Sequence, residues 1–210
     1  SDTVLEYAYL NSYYQTGLKN LLDVAVLERV EVHQALQAAT AFHKVDEIPF
    51  DFVRRRMSVV VAEHAAQHLL ICKGAVEEIL SVCSSVRHGE LNEPLTDALL
   101  IKVRAVTAAL NEEGLRVVAV AAKQPLPVKD AYSVADESAL TLMGYIAFLD
   151  PPKETTAPAL RALAEHGVAV KILTGDNELV SAKICREVSF PISAKLLGAE
   201  NVTVICNQEE

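Results

Sequence analysis

Two adjacent prolines, Pro151 and Pro152, follow closely on the apolar run Leu140 to Leu149. Each fixes φ and removes a backbone donor, so a strand that reaches them stops there. Lys153 and Glu154 open a polar run behind them. Asp150-Pro151-Pro152-Lys153 therefore predicts a hinge that divides the chain into a domain over 1–149 and a second piece over 150–210. Past the hinge, Ala159, Leu160 and Leu163 fall at helical spacing, so a helix is expected over Thr156 to His166. Gly167 ends that pattern, and Val168 to Leu173 reads as a buried strand. Thr174-Gly175-Asp176 then stands between the strand and a helix expected from Glu178 to Val188. At such a corner backbone N–H groups and the helix dipole face an incoming phosphate, and Gly175 permits close approach. A carboxylate at Asp176 repels a phosphate unless a cation such as magnesium lies nearby. The alternative is that Asp176 or Asn177 simply caps the helix.

The chain of 210 residues is 51% hydrophobic, enough to bury at least one substantial core and to argue against disorder. Its formal net charge of -9 opposes general nucleic-acid binding, which needs a basic footprint, so any nucleotide site must be locally basic. No apolar run approaches the roughly 20 residues that cross a bilayer, and Ser1 opens no basic, apolar leader; a soluble segment is expected. Cys72, Cys83, Cys185 and Cys206 lack C-x-x-C spacing and lie mostly in apolar patterns, which favours buried thiols over disulfides or zinc.

Before the hinge, Leu10, Tyr14, Leu18, Leu21, Leu22, Ala25 and Val26 predict one or two helices around Gly17, and a further short helix fits Val32 to Phe42. Met57 to Glu63 and Leu69 to Cys72 read as two antiparallel strands joined by a polar connection. A helix is expected over Val76 to Cys83, a longer one over Pro94 to Asn111, and strands over Leu115 to Ala122 and Leu140 to Leu149. Hairpin strands with helices beside them predict an α+β domain over 1–149. The helix, strand, helix order after 150 resembles a piece of a doubly wound parallel sheet, too short to be complete.

Candidate chemistry in the first domain gathers at three places. Lys73-Gly74-Ala75 ends a strand and opens a helix, leaving a flexible ammonium at one sheet edge; an ordinary strand-to-helix turn with a solvated lysine gives the same pattern. Phe50-Asp51-Phe52 precedes Arg54-Arg55-Arg56, so an aromatic face lies near cations, with Phe50 the candidate to stack on a base. Core phenylalanines and a charged strand edge are the alternative. Arg116, in Gly114-Leu115-Arg116-Val117-Val118, brings a charge into an apolar strand and needs a ligand, a carboxylate or the surface. His33, His43 and His166 look like surface positions. P-loop, dinucleotide, zincin and hydrolase-triad motifs are absent from the sequence.

Taken in order, Ile48-Pro49-Phe50-Asp51-Phe52, Arg54-Arg55-Arg56-Met57-Ser58-Val59, Lys73-Gly74-Ala75, Gly114-Leu115-Arg116-Val117, Asp150-Pro151-Pro152-Lys153 and Thr174-Gly175-Asp176 resemble the nucleotide-binding domain of P-type cation-transporting ATPases, running into the start of their phosphorylation domain. The resemblance covers roughly residues 1–188; with Asn11 to Gly17 and Gly144 to Leu149 it is most like bacterial magnesium-transporting members. It implies a mainly antiparallel sheet flanked by helices, followed by an incomplete α/β segment of the haloacid-dehalogenase type. The implied cofactors are ATP and Mg2+. Phe50 would stack on adenine, Lys73 and Gly74 line its pocket, Arg116 reach the phosphates or ribose, and Arg55 assist with the phosphates. Asp150 belongs to the hinge, and Thr174, Gly175 and Asp176 would meet the terminal phosphate, with Asp176 touching magnesium indirectly. Lys73→Glu would then weaken ATP binding and leave the fold intact, as a charge reversal at a surface-facing strand end.

The chain departs from the family in three respects. The Asp-Lys-Thr-Gly-Thr segment, whose aspartate accepts the phosphoryl group, and the Gly-Asp-Gly-x-Asn-Asp segment are missing from this sequence, and the acidic residue of a Thr-Glu pair near adenine is replaced at best by Asp23. The resemblance therefore implies an ATP-binding portion that is catalytically incomplete by itself. Its partners would be the phosphorylation, actuator and transmembrane domains of the same polypeptide, on the cytoplasmic side of a bacterial inner membrane. A stand-alone phosphatase of the haloacid-dehalogenase type and a non-catalytic interaction module are the competing readings.

Overall fold

The helical spacing of the N-terminal segment yields two helices, α1 (Asp2–Tyr14) and α2 (Leu21–Leu27), on either side of Gly17. The computed structural model describes residues 2–17, 19–28, 42–63, 67–149, 151–174, 177–190, 194–197 and 203–206. Most of the helix expected over Val32 to Phe42 lies outside the described residues, and Phe42 itself begins a strand. The chain divides into two compact units, residues 1–101 with 117–146 and residues 102–116 with 147–210.

The first unit is built on β1 (Phe42–Asp51), β2 (Arg56–Glu63) and β3 (Gln67–Gly74), a helix α3 (Val76–Leu80), and β4 (Cys83–His88) with β5 (Leu91–Pro94). A longer helix, α4 (Asp97–Glu112), leads to β6 (Leu115–Leu126), and a 3-10 turn over Val134–Asp136 leads to β7 (Leu140–Leu149). The sheet runs β1-β2-β3-β6-β7-β4-β5. The β1–β2, β2–β3, β3–β6 and β4–β5 pairs are antiparallel, and β4–β7 is parallel. Val59, Val60 and Val61 of β2, Leu70 and Ile71 of β3, and Ala119, Val120 and Ala121 of β6 are all fully buried. Consecutive buried residues mean that both faces of these central strands are covered, and α1 packs on β2 and β3.

Two expectations differ from what forms here. The helix predicted from Val76 stops at Leu80, because Cys83 finds a non-local partner in β7, paired with Leu140, and Leu140 donates its N–H to Val82 O at 2.9 Å. The sequence pattern also missed β1, whose Pro49 argues against a strand; β1 is the outermost strand of the sheet, where a residue without a backbone donor is tolerated. Side chains tie β1 to the helices. Tyr14 Oη donates to Phe42 O at 2.5 Å, Thr16 N donates to Glu47 Oε2 at 3.0 Å, and Lys44 Nζ donates to the same carboxylate at 2.7 Å.

In the second unit, α5 (Thr156–Glu165) ends at Gly167, whose φ of 71° is the left-handed conformation a helix terminus favours. It is followed by β8 (Lys171–Thr174), α6 (Glu178–Glu187), β9 (Ala194–Leu197) and β10 (Thr203–Cys206). Cys185, Val188 and Phe190 form a small buried cluster, with Ala157, Leu160, Val170 and Ile172 packed against it. The expected buried strand is half exposed; Leu173 is 71% accessible. Its partners are antiparallel, in the order β8-β10-β9, so the parallel βα grammar read from the sequence does not appear among the described residues. The strands that replace it come from the tail beyond Ser189, where the sequence offered no pattern to read. Among the described residues no helix is long and apolar enough to cross a membrane.

Leu70 is fully buried on β3, opposite Val60 of β2 and Lys123 of β6. Leu70→Ala is expected to destabilise the chain by about 2–5 kcal/mol through lost burial and the cavity left behind, read as a shift in the urea unfolding midpoint.

Candidate functional site

The turn between β1 and β2 exposes aromatic surface on the first unit. Phe50 is 51% accessible, Phe52 88% and Val53 87%. The two rings meet edge to face, with centroids 5.4 Å apart and planes at 88°. The alternative of core phenylalanines is thereby set aside. Asp51 folds the turn locally: its Oδ1 accepts from the N–H groups of Val53 and Arg54, both at 2.8 Å, and its carbonyl accepts from Arg55 N at 2.6 Å. The two N–H bonds, with that of Arg54 the stronger influence, hold the Asp51 carboxyl below its ordinary value.

Antiparallel register then brings Lys73 and Gly74 under this turn. Met57 pairs with Lys73 and Arg56 with Gly74. Ala75 N donates to Arg55 O at 3.0 Å. A Cβ on Gly74 would stand 2.5 Å from Arg55 O and from Arg56 Cβ, so only glycine lets the turn lie this close. Arg55 itself adopts φ of 43° and pairs with Glu78 of α3.

Lys73 is not the solvated lysine of a sheet edge. It is 5% accessible, and its ammonium donates to Asp23 Oδ1 at 2.5 Å and to Ser12 Oγ at 2.7 Å. Ser12 Oγ in turn donates to Asp23 Oδ1 at 2.8 Å. The other oxygen of Asp23 serves α2: Oδ2 accepts from Asn20 N at 3.1 Å while Asn20 Oδ1 accepts from Asp23 N at 2.9 Å, a reciprocal cap. One carboxylate thus starts a helix and neutralises the lysine of a strand. Burial pushes the Asp23 carboxyl up, but the charge of Lys73 and the hydrogen bonds from Lys73, Ser12 and Gln15 outweigh it and hold the group below its ordinary value. Burial pulls the Lys73 ammonium down, opposed by Asp23.

The structure therefore brings Phe50, Arg55, Lys73 and Gly74 to one corner of the first unit. Arg116 lies half-buried near the start of β6, in the segment grouped with the second unit. Thr174 is the half-buried last residue of β8, and Asn177 caps α6 by accepting from Leu179 N at 2.9 Å. Asp150, Gly175 and Asp176 lie outside the described residues. Arg54 and Arg56, read from sequence as cations near an aromatic face with a charged strand edge as the alternative, both engage Glu137. Three residues escaped sequence reasoning. Ser12 and Glu137 carried no signal of their own, nor did Glu78. Asp23 had one, the Asn20-x-x-Asp23 spacing of a helix start.

Residues 8–155 match the family model described as P-type ATPase, cytoplasmic domain N. The chain belongs to that family. It is 58% identical over 205 residues to "Magnesium-transporting ATPase, P-type 1" of Escherichia coli (strain K12), covering 97% of this chain and 23% of that relative. It is 59% identical over 201 residues to the protein of the same description from Salmonella typhimurium (strain 14028s / SGSC 2262), covering 95% of this chain and 22% of the relative. Similarity extends at 33% identity over 170 residues to "Sodium/potassium exporting P-type ATPase 1" of Saccharomyces cerevisiae, 75% of this chain and 16% of that one. The chain spans under a quarter of the length of these curated relatives.

Two outcomes are expected from the buried pair. Lys73→Glu places two carboxylates face to face in a dry site, so the fold loses about 3–5 kcal/mol instead of staying intact, measured by denaturant unfolding. The Asp23 carboxyl is depressed in the folded chain, so its contribution is present above its ordinary value of 3.8 and is lost as pH falls below 3.8 through the folded value. Asp23→Asn should flatten that acid limb in a plot of melting temperature against pH.

Proposed function

We propose that this chain is the ATP-binding portion of a magnesium-transporting P-type ATPase. The corner formed by the β1–β2 turn and the end of β3 receives the nucleotide there. The observation that carries the reading is an exposed aromatic pair, Phe50 with Phe52, on a hydrogen-bonded turn one strand away from Lys73. An exposed ring edge-packed on a second ring offers a flat apolar face to a purine, and base stacking of this kind contributes about 1–3 kcal/mol per base. Arg55, paired with Glu78, places a guanidinium beside the turn, a group that suits phosphate. Lys73, neutralised by Asp23, acts as a pocket wall and hydrogen-bond donor more than as a free charge. The names of the relatives, together with the family, support ATP and magnesium transport for the parent protein.

On this reading residues 1–149 form the nucleotide-binding domain, Asp150 to Lys153 the hinge, and 150–210 the opening of a haloacid-dehalogenase-like phosphorylation domain in the intact protein. Thr174, Gly175 and Asp176 would meet the terminal phosphate there, with Arg116 directed to the ribose or phosphates. Asp176 is the residue that would sense magnesium, and Mg2+ would neutralise phosphate charge during transfer. The remaining partners are the phosphorylation, actuator and transmembrane domains of the same polypeptide, on the cytoplasmic side of a bacterial inner membrane. Transfer of the γ-phosphate requires an aspartate acceptor in the family's Asp-Lys-Thr-Gly-Thr context, which this sequence does not contain.

Titration of the chain with Mg-ATP, followed by NMR, is expected to shift resonances of the Phe50 to Arg55 turn and of Lys73. Phe50→Ala should weaken binding about tenfold, the loss of one stacked base. No shift at millimolar ATP, or a sustained ATPase rate from the purified chain, overturns the proposal.

A further inference from the structure

Glu137 is a carboxylate in a polar loop, yet its side chain has no solvent exposure. The loop that carries it is fastened to the sheet. Tyr132 N donates to Asp46 Oδ2 at 2.7 Å, Tyr132 Oη donates to Pro127 O at 2.8 Å, and the same hydroxyl meets His68 Nδ1. Ser133 and Asp136 then cap a 3-10 turn reciprocally, with Ser133 N donating to Asp136 Oδ2 at 2.9 Å. Leu140 follows at once in β7. Glu137 is therefore delivered by a segment with little freedom, and its position does not depend on the β1–β2 turn.

Two of its three partners, Arg54 and Arg56, stand within that turn and at its outgoing end, and the third, Ser58, lies in β2. Arg54 Nη1 and Arg56 Nε both donate to Glu137 Oε2 at 2.8 Å, and Ser58 Oγ donates to Oε1 at 2.7 Å. Arg54 also donates through Nη2 to Pro49 O at 2.7 Å, so one guanidinium joins the incoming end of the turn to Glu137 while Arg56 joins the outgoing end. Between these two arginines lies Arg55 in a left-handed conformation unusual for a side-chain-bearing residue. A buried ionic triad of this kind adds little net stability compared with apolar packing. What it supplies is direction, because charge-assisted bonds from two guanidinium groups fix angles as well as distances.

We propose that Glu137 is the positioning residue of the nucleotide corner: its buried carboxylate holds Arg54 and Arg56 so that the turn between them presents Phe50 and Arg55 in the binding geometry before the nucleotide arrives. Glu137 itself touches no ligand. The inference rests on the ATP-binding reading above, and it adds a requirement that neither the aromatic pair nor Lys73 imposes. Without the triad the turn keeps its Asp51 bonds, the Ala75 N–H on Arg55 O and the Arg55–Glu78 pair, but both its ends lose their hold on the loop before β7, and binding then has to order them.

The test compares three forms of the 210-residue chain: wild type, Glu137→Gln, and Leu142→Ala as a destabilised control from the buried core of β7. Amide relaxation of residues 51–56 is measured without nucleotide, and ATP affinity is measured by titration. Glu137→Gln is expected to make the turn mobile on the nanosecond scale and to weaken ATP about tenfold, the loss of a charge-assisted contact. Leu142→Ala should lower the melting temperature and leave both readings unchanged. A Glu137→Gln chain that keeps a rigid turn, or binds ATP within about twofold of wild type, overturns the proposal. If Glu137→Gln does not fold, Arg54→Gln breaks the same tie while Arg56 and Ser58 still satisfy Glu137, and an unchanged turn and affinity there are equally fatal. Wild type that fails to bind ATP refutes the functional reading instead, and the relaxation comparison still decides whether Glu137 positions the turn.

Discussion

Burial of both faces of β2, β3 and β6 is the constraint from which the rest of the first unit follows. A strand covered on both sides has no solvated face on which to leave a charge, and an unpaired buried ion costs several kcal/mol. Yet Arg56, Ser58 and Lys73 stand in or at the ends of these strands and are buried. Each therefore has to meet a partner brought from elsewhere in the chain. Lys73 meets Asp23 from α2 and Ser12 from α1. Arg56 and Ser58 meet Glu137 from the loop before β7. The helices and the loop are tied to the sheet by electrostatic necessity as much as by apolar packing.

The same constraint concentrates chemistry at one corner. Polar side chains collect where β2 begins and β3 ends, because strand termini are the nearest places to water, and the β1–β2 turn lies directly over them. Gly74 removes the side chain that would hold the turn away, and Asp51 closes it from within. The aromatic pair stays exposed above these contacts, which is the arrangement a stacking surface requires.

Much of this was legible beforehand in particular residues. The valine run Val59 to Val61 and the apolar Leu69 to Cys72 announced the central hairpin, Leu140 to Leu149 announced β7, and Phe50, Lys73 and Gly74 were marked by their motifs. The strand β1 was hidden by Pro49, since the sequence does not say that its strand lies at an edge. β4 was hidden because Cys83 to His88 is half polar and becomes a strand by pairing with β5 and with β7, the latter some fifty residues later. β9 and β10 likewise depend on each other and on β8.

The sequence by itself determined the family, the central hairpin and β7, and it marked Phe50, Arg55, Lys73 and Gly74 as candidates, since periodicity, prolines, glycines and short motifs are local properties of the chain. Tertiary structure decided what those residues are able to do. It turned Lys73 from a surface cation into half of a buried pair, divided Arg54, Arg55 and Arg56 between Glu137 and Glu78, and gave Asp23 two tasks at once. The reason is physical: the strength and sign of a charge's effect depend on its desolvation and on partners 23 to 83 residues away, and no local pattern records either.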